Sequence, residues 1–195
     1  MQIQIKVALE YQLSANENVL LTLEVAETDG QTIKESLLSV DNATLLRMAG
    51  EGGVGNRVWA RIAGDRLNLR YCAKVDVTRP DVALDGLAAM PIHSLPTEVL
   101  TCLRPSRFCQ SDLFTDFVGQ RFGHLAGGTK VAAIAQWVKA ETHYVSGSSD
   151  GKTTAVDTFV SRQGVCRDFA HLTCSLVRAA NIPARYVSVY GIDVD

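Results

Sequence analysis

Histidine and cysteine are scarce in this chain: four and five in 195 residues. No two cysteines stand at the two-residue spacing of a zinc or dithiol redox motif, and no histidine is placed to complete one. Cys72, Cys102, Cys109, Cys166 and Cys174 are odd in number and irregular in spacing. That argues against a disulfide framework and predicts reduced thiols in a cytoplasmic protein. Charge of one sign is also lacking. A net charge of -2 gives no field for nucleic acid or an anionic membrane. The apolar runs are too short to span a bilayer, and MQIQIKVALEYQL alternates instead of forming the continuous block of a signal peptide. Internal repeats and low-complexity segments are absent. The expected partners therefore include neither nucleic acid nor membrane, and the sequence leaves the oligomeric state open.

The first part of the chain alternates. Ile3, Ile5, Val7 and Leu9 share one face of an extended segment, as do Val19, Leu21, Leu23 and Val25, and again Leu67, Leu69, Tyr71, Val75 and Val77. Period two with β-branched enrichment predicts half-buried strands. Turn residues separate them: Asp29-Gly30, the glycine-rich stretch 50–56, and Gly64-Asp65, the last suited to a two-residue hairpin. About six short strands at this spacing predict a small antiparallel β-sandwich-like domain over 1–80.

Prolines are few, five in all, and four of them (Pro80, Pro91, Pro96, Pro105) fall between 80 and 105. Such density resists helix interiors and central strands, so 81–105 reads as a connector. From 106 to 195 the period becomes helical. Ser111 is placed to cap a helix ending at Gly123, and Thr129 a second with Val131, Ile134, Trp137 and Val138 on one face. Thr154 is placed to cap a third, closed by Gly164. A fourth begins at Cys166 with Phe169, Leu172, Leu176 and Ala180 as its stripe, and Asn181 and Pro183 end it. The stretch 184–192 then reads as a strand. The expected class is α+β.

Cys166 is the cysteine with chemical promise. At a helix mouth, unpaired N–H groups and the positive dipole end favour an anion, and the same groups can receive a developing oxyanion. Gly164 just before it suggests close backbone approach, leaving room for substrate. The competing reading of any of these cysteines is a small buried hydrophobe, and it is the preferred one for Cys174, Cys102 and Cys109. Arg167 and Asp168 read first as ion-pair and cap residues, with support of the site as the secondary reading. Tyr144, Tyr186, Tyr190 and Trp137 read as packing residues, and the loop 146–151 as a solvated connection.

The stretches at 105–114 (PSRFCQSDLF), 133–138 (AIAQWV), 142–168 and 162–192 (RQGVCRDFAHL…LVRAANIPARYVSVYGI) resemble, in order and spacing, the core of the transglutaminase-like superfamily. Bacterial members of that superfamily include proposed cysteine proteases. The β-rich first half, with GNRVWARI at 55–62, resembles the accessory domain that precedes this core. The resemblance implies a papain-like fold and a Cys-His-Asp triad with Cys166 as nucleophile. It implies a protein or peptide substrate attacked at a glutamine carboxamide or peptide carbonyl, a thioester, and no metal or organic cofactor. In the family, the His and Asp follow tens of residues after the match to ARYVSVYG. Here four residues follow Gly191, and His171 is the last histidine. It lies five positions after Cys166, roughly 140° around the helix. The expectation is a core incomplete at its C-terminus, inactive toward amides by itself. A non-catalytic peptide- or protein-binding module is the alternative.

Overall fold

The computed structural model describes residues 1–191, which divide into two compact units, 1–81 and 82 onward. In the first unit the strands are β1 (Gln2–Gln12), β2 (Asn18–Leu21), β3 (Gln31–Val40), β4 (Ala43–Ala49), β5 (Asn56–Ile62) and β6 (Arg66–Val77). They form two antiparallel three-stranded sheets, in the orders β1-β6-β3 and β2-β5-β4. Alternation decides the inner faces. Leu67, Leu69, Tyr71, Ala73 and Val75 of β6 are buried, and so are Val58, Ala60 and Ile62 of β5; together they fill one core between the sheets. Tyr71 is fully buried, and its hydroxyl accepts from the Val25 N–H at 2.9 Å and meets Ser36 Oγ at 3.1 Å, so its polar end is satisfied.

Gly64-Asp65 is not a hairpin turn. Both edges of β5 are already occupied, by β2 and β4, so β6 cannot pair with it. The chain passes instead to the other sheet, held by Leu13 N–H to Asp65 O and Asn16 N–H to Gly64 O. The second expected strand stops at Leu21; Leu23 and Val25 still pack on the core beyond its end.

The second unit carries a short helix α1 (Thr97–Leu100), then α2 (Thr115–Phe122), α3 (Gly127–Glu141), the two-residue strand β7 (His143–Tyr144), α4 (Ala155–Ser161), the two-residue strand β8 (Gln163–Gly164) and α5 (Cys166–Ala179). Proline-rich residues of the 81–105 segment belong to this unit. The Gly128 N–H donates to Leu87 O, Ala184 N–H to Cys102 O, and Arg178 Nη1 to Arg104 O. Helix α3 starts at Gly127 and not at Thr129; a Cβ at Gly127 would stand 1.9 Å from Leu87 O, so the close approach of this segment requires glycine there. Ser111 opens a 3-10 turn with no side-chain cap, and α2 follows it.

Helix α5 lies at the centre. Its Leu172 and Leu176 are fully buried, and they pack with Ile134, Val138, Phe114, Val118 and Ala155. Phe117, Trp137 and Phe159 form an aromatic cluster with centroids 5.0–5.8 Å apart. The guanidinium of Arg162 lies over two of these rings, 4.8 Å from Trp137 and 4.4 Å from Phe159. The strand expected over 184–192 is not formed in the described part of that stretch. A strand exists by its ladder, and no other strand of the described residues lies beside 184–191; Val187 and Val189 are exposed. Ile192, Asp193, Val194 and Asp195 lie outside the described residues. Among the described residues, no helix is long and apolar enough to cross a membrane.

Candidate active site

Four local devices present Cys166. The Thr154 hydroxyl accepts from the Asp157 N–H while the Asp157 carboxylate accepts from the Thr154 N–H, a capping box that starts α4. Arg162, not Gly164, closes α4; its φ of 58° turns the chain out of the helix. The next residues form β8, which pairs in parallel with β7, Tyr144 opposite Gly164, with Val145 N–H donating to Gly164 O at 3.1 Å. Val165 is extended, and Cys166 is then the first residue of α5, with an exposed side chain.

The N–H groups of Cys166 and Arg167 have no acceptor within the helix, since they belong to its first turn. The free N–H just before them, that of Val165, is taken by Asp168, whose Oδ2 accepts from it at 2.8 Å. Asp168 is only 1 % exposed. Burial pushes its carboxyl up, yet hydrogen bonds from Ser149, the Val165 N–H and Arg167, with the Arg167 charge, outweigh burial and hold it below the usual carboxylate range. Gly164 has a different reason from the one expected. A Cβ there would stand 2.8 Å from Asp168 Cβ, so the glycine makes room for the capping carboxylate, not for substrate.

Sequence reasoning did not foresee what Arg167 reaches. Its Nη2 donates to Asp150 O at 2.7 Å, to Ser149 Oγ at 3.2 Å and to Asp168 Oδ1 at 3.2 Å. The signal was present only as an Arg-Asp pair in the first helical turn and an Ser-Ser-Asp loop well before it. That loop is itself tight: Asp150 Oδ1 accepts from the N–H groups of Lys152 and Thr153. These bonds, the Lys152 N–H foremost, hold its carboxyl below the ordinary value.

No histidine joins Cys166 among the described residues. His171 was expected to hydrogen-bond near the helix surface. It is buried instead, stacked on Phe108 (centroids 5.4 Å apart, planes 9° apart) and tilted against Tyr186 at 4.9 Å. Its Nδ1 is buried without a hydrogen-bond partner. Burial, then the nearby Arg167 charge, keeps its imidazole below the usual range, so the ring stays neutral. The flanking aromatic rings shield it, and Cys166 begins the helix on another side. His93, His124 and His143 are exposed on other elements. Cys174 is buried, and burial, with Cys109 and Cys102 close by, pushes its thiol up; it is a packing residue, as expected. Among the described residues no group of three or more His, Cys, Asp or Glu is arranged to hold a metal. A groove of about 460 Å³ runs between α3, α5 and residues 185–187, lined by Val138, Phe169, Ala170, Cys174 and Tyr186 among others. It lies farther along α5 and does not include Cys166.

The model of the transglutaminase-like superfamily matches residues 118–195, from α2 through the whole of α5. An uncharacterized protein of Mycobacterium leprae (strain TN) is 34% identical to this chain over 89 residues, which is 45% of the chain and 32% of that relative. The chain thus matches about a third of the length of this curated relative. The crystal structure of a protein from Cytophaga hutchinsonii, described there as a "Putative Cysteine Protease", superposes with a TM-score of 0.80 at 28% identity, covering 94% of this chain and 67% of that one. The likeness therefore takes in residues of both units.

Proposed function

We propose that this chain belongs to a cysteine enzyme of acyl transfer, with Cys166 as the nucleophile. One observation carries the proposal: an exposed thiol on the first residue of α5, beside first-turn N–H groups with no intrahelical acceptor, inside the segment that matches the superfamily. In the reaction, Cys166 Sγ attacks the carbonyl carbon of a glutamine carboxamide or a peptide bond. The carbonyl oxygen becomes an oxyanion, received by the Cys166 N–H. The tetrahedral intermediate collapses with cleavage of the C–N bond; the leaving nitrogen takes a proton, and a thioester remains. Water or an amine then attacks the thioester and releases the thiol, giving hydrolysis or acyltransfer respectively. The step draws on no metal or organic cofactor. A protein or peptide substrate and a reducing, cytoplasmic setting suit an exposed reactive thiol.

The buried state of His171 favours a second reading for the 195 residues alone, a non-catalytic peptide- or protein-binding module on the same scaffold. Amide cleavage needs a proton donor for the leaving amine, and general acid catalysis contributes about 10²–10⁴-fold. An activated ester has a leaving group that needs no such help. The test is to offer this chain an activated ester, a glutamine-donor amide and a peptide amide, with Cys166→Ala as blank. The expected result is acylation of Cys166 by the ester, read by mass spectrometry, with little or no amide turnover. No acylation of Cys166 would remove the enzyme reading in favour of the binding module. Amide turnover lost in Cys166→Ala would mean that the base comes from within these 195 residues or from a second copy.

A further inference from the structure

The first turn of α5 holds a buried carboxylate. Asp168 is 1 % exposed and its carboxylate caps the Val165 N–H, two residues from Cys166. An anion forming at Sγ draws on the same helix terminus, where a nearby like charge disfavours it. Among the described residues, Arg167 is the cation in contact with that carboxylate. Its Nε and Nη2 both reach Asp168 Oδ1, at 3.3 and 3.2 Å. The same Nη2 is bonded to the backbone of the preceding loop at Asp150 O, 2.7 Å, and to Ser149 Oγ. One side chain thus neutralises the cap and fastens residues 149–150 to the helix start.

We propose that Arg167 is a positioning residue for the Cys166 thiol: it cancels the charge of the capping carboxylate and anchors the 149–150 loop, so that the helix mouth remains open to an anion at sulfur. This rests on the reading of Cys166 as the nucleophile and adds the group that makes the mouth usable. Charge and geometry make separate contributions. A lysine at 167 keeps the positive charge but not the planar fork that spans two partners. A glutamine keeps a donor but no charge.

The experiment measures alkylation of Cys166 by iodoacetamide at neutral pH, per cysteine by mass spectrometry, with exposed Cys72 of the other unit as internal standard. Circular dichroism confirms that each variant is folded. Arg167→Gln is expected to slow Cys166 about three- to tenfold, the size of an uncompensated nearby like charge. Arg167→Lys is expected to stay within about twofold of the parent chain, because the charge is kept. Removing both charges, in Arg167→Gln with Asp168→Asn, is expected to restore the rate to within about twofold, since nothing then opposes the anion. A merely structural arginine would lower thermal stability in all three variants and show no such restoration. An unchanged rate in Arg167→Gln, or a loss that the double variant leaves in place, overturns the proposal. If the double variant does not fold, the pair Arg167→Lys and Arg167→Gln decides, and equal rates in the two overturn it. The outcome is separable from that of the ester assay. Cys166 that is never acylated but follows this alkylation pattern removes the enzyme reading and leaves the charge balance standing; acylation with no dependence on Arg167 does the reverse.

Discussion

Arg162 holds a backbone conformation that side chains avoid, and the reason it does so can be measured. Its φ of 58° lies in the left-handed region, at a cost of about 1 kcal/mol or more for a residue with a Cβ. The side chain supplies the compensation. Its guanidinium sits 4.4 Å from the Phe159 centroid and 4.8 Å from that of Trp137. A partly desolvated cation over a ring contributes about 1–2 kcal/mol, and two rings sharing one cation do not simply add. One nitrogen, Nη1, is buried without a partner, which offsets about 1 kcal/mol of this. Arg162→Ala removes the cation and keeps the strained φ, so a net loss of about 1–2 kcal/mol is expected. Arg162→Gly removes the same contacts but frees the backbone, and should therefore be more stable than the alanine variant by about 1 kcal/mol, although glycine is ordinarily the less stabilising residue. The assay is urea unfolding in a Trp59→Phe background, where Trp137 is the remaining tryptophan and its fluorescence reports on this unit. An alanine variant as stable as the glycine variant would refute the backbone argument. Full parental stability in the alanine variant would refute the ring contacts.

Two further outcomes follow from the Asp168 cap. Gly164→Ala puts a Cβ 2.8 Å from Asp168 Cβ; a destabilisation of about 1–3 kcal/mol is expected from such overpacking, read as a lower urea midpoint, and an unchanged midpoint would refute the close approach. The Asp168 carboxyl is held below its ordinary value of 3.8, so the unfolded chain takes up its proton first as pH falls. Its contribution to stability is thus complete above about pH 5 and is lost as pH drops through the native titration. The stability gap between the parent chain and Asp168→Asn should be largest near neutral pH and shrink by pH 3; a gap that does not change with pH would contradict the assignment.

Local chemistry made some elements plain before any coordinates. The alternation of β6, the Leu172–Leu176 stripe of α5, the Thr154 cap and the helix-opening place of Cys166 each depend on residues within a turn or two of one another. What the sequence hid depends on who occupies the neighbouring edge. Gly64-Asp65 has the chemistry of a hairpin turn, but the edges of β5 are taken by β2 and β4, and that choice is made by strands far away in the chain. The role of Gly164 was misread because its neighbour Asp168 points inward as a cap, which a residue count along the helix does not reveal. Arg162 was passed over, and the loop partners of Arg167 were not foreseen, for the same reason. One is defined by two rings on different helices, and the other by a loop 17 residues earlier. The segment 184–191 has a strand's composition, but among the described residues no strand runs beside it.

The pairing of β1 with β6 also sets an order of events in the life of the chain. Gln2 pairs with Asp76 and Gln12 with Arg66, so an eleven-residue strand is synthesised long before the partner that occupies the centre of its sheet. At about 5–20 residues per second, β1 spends roughly 3–15 s off the ribosome's decoding site before β6 is available to it. During that interval Ile3, Ile5 and Val7 form an apolar face with no core to cover it, and the backbone edge that β6 will occupy is open to other nascent chains. Production of this protein should therefore be limited at that stage, and conditions that slow synthesis without speeding the completion of β6 should lower its soluble yield.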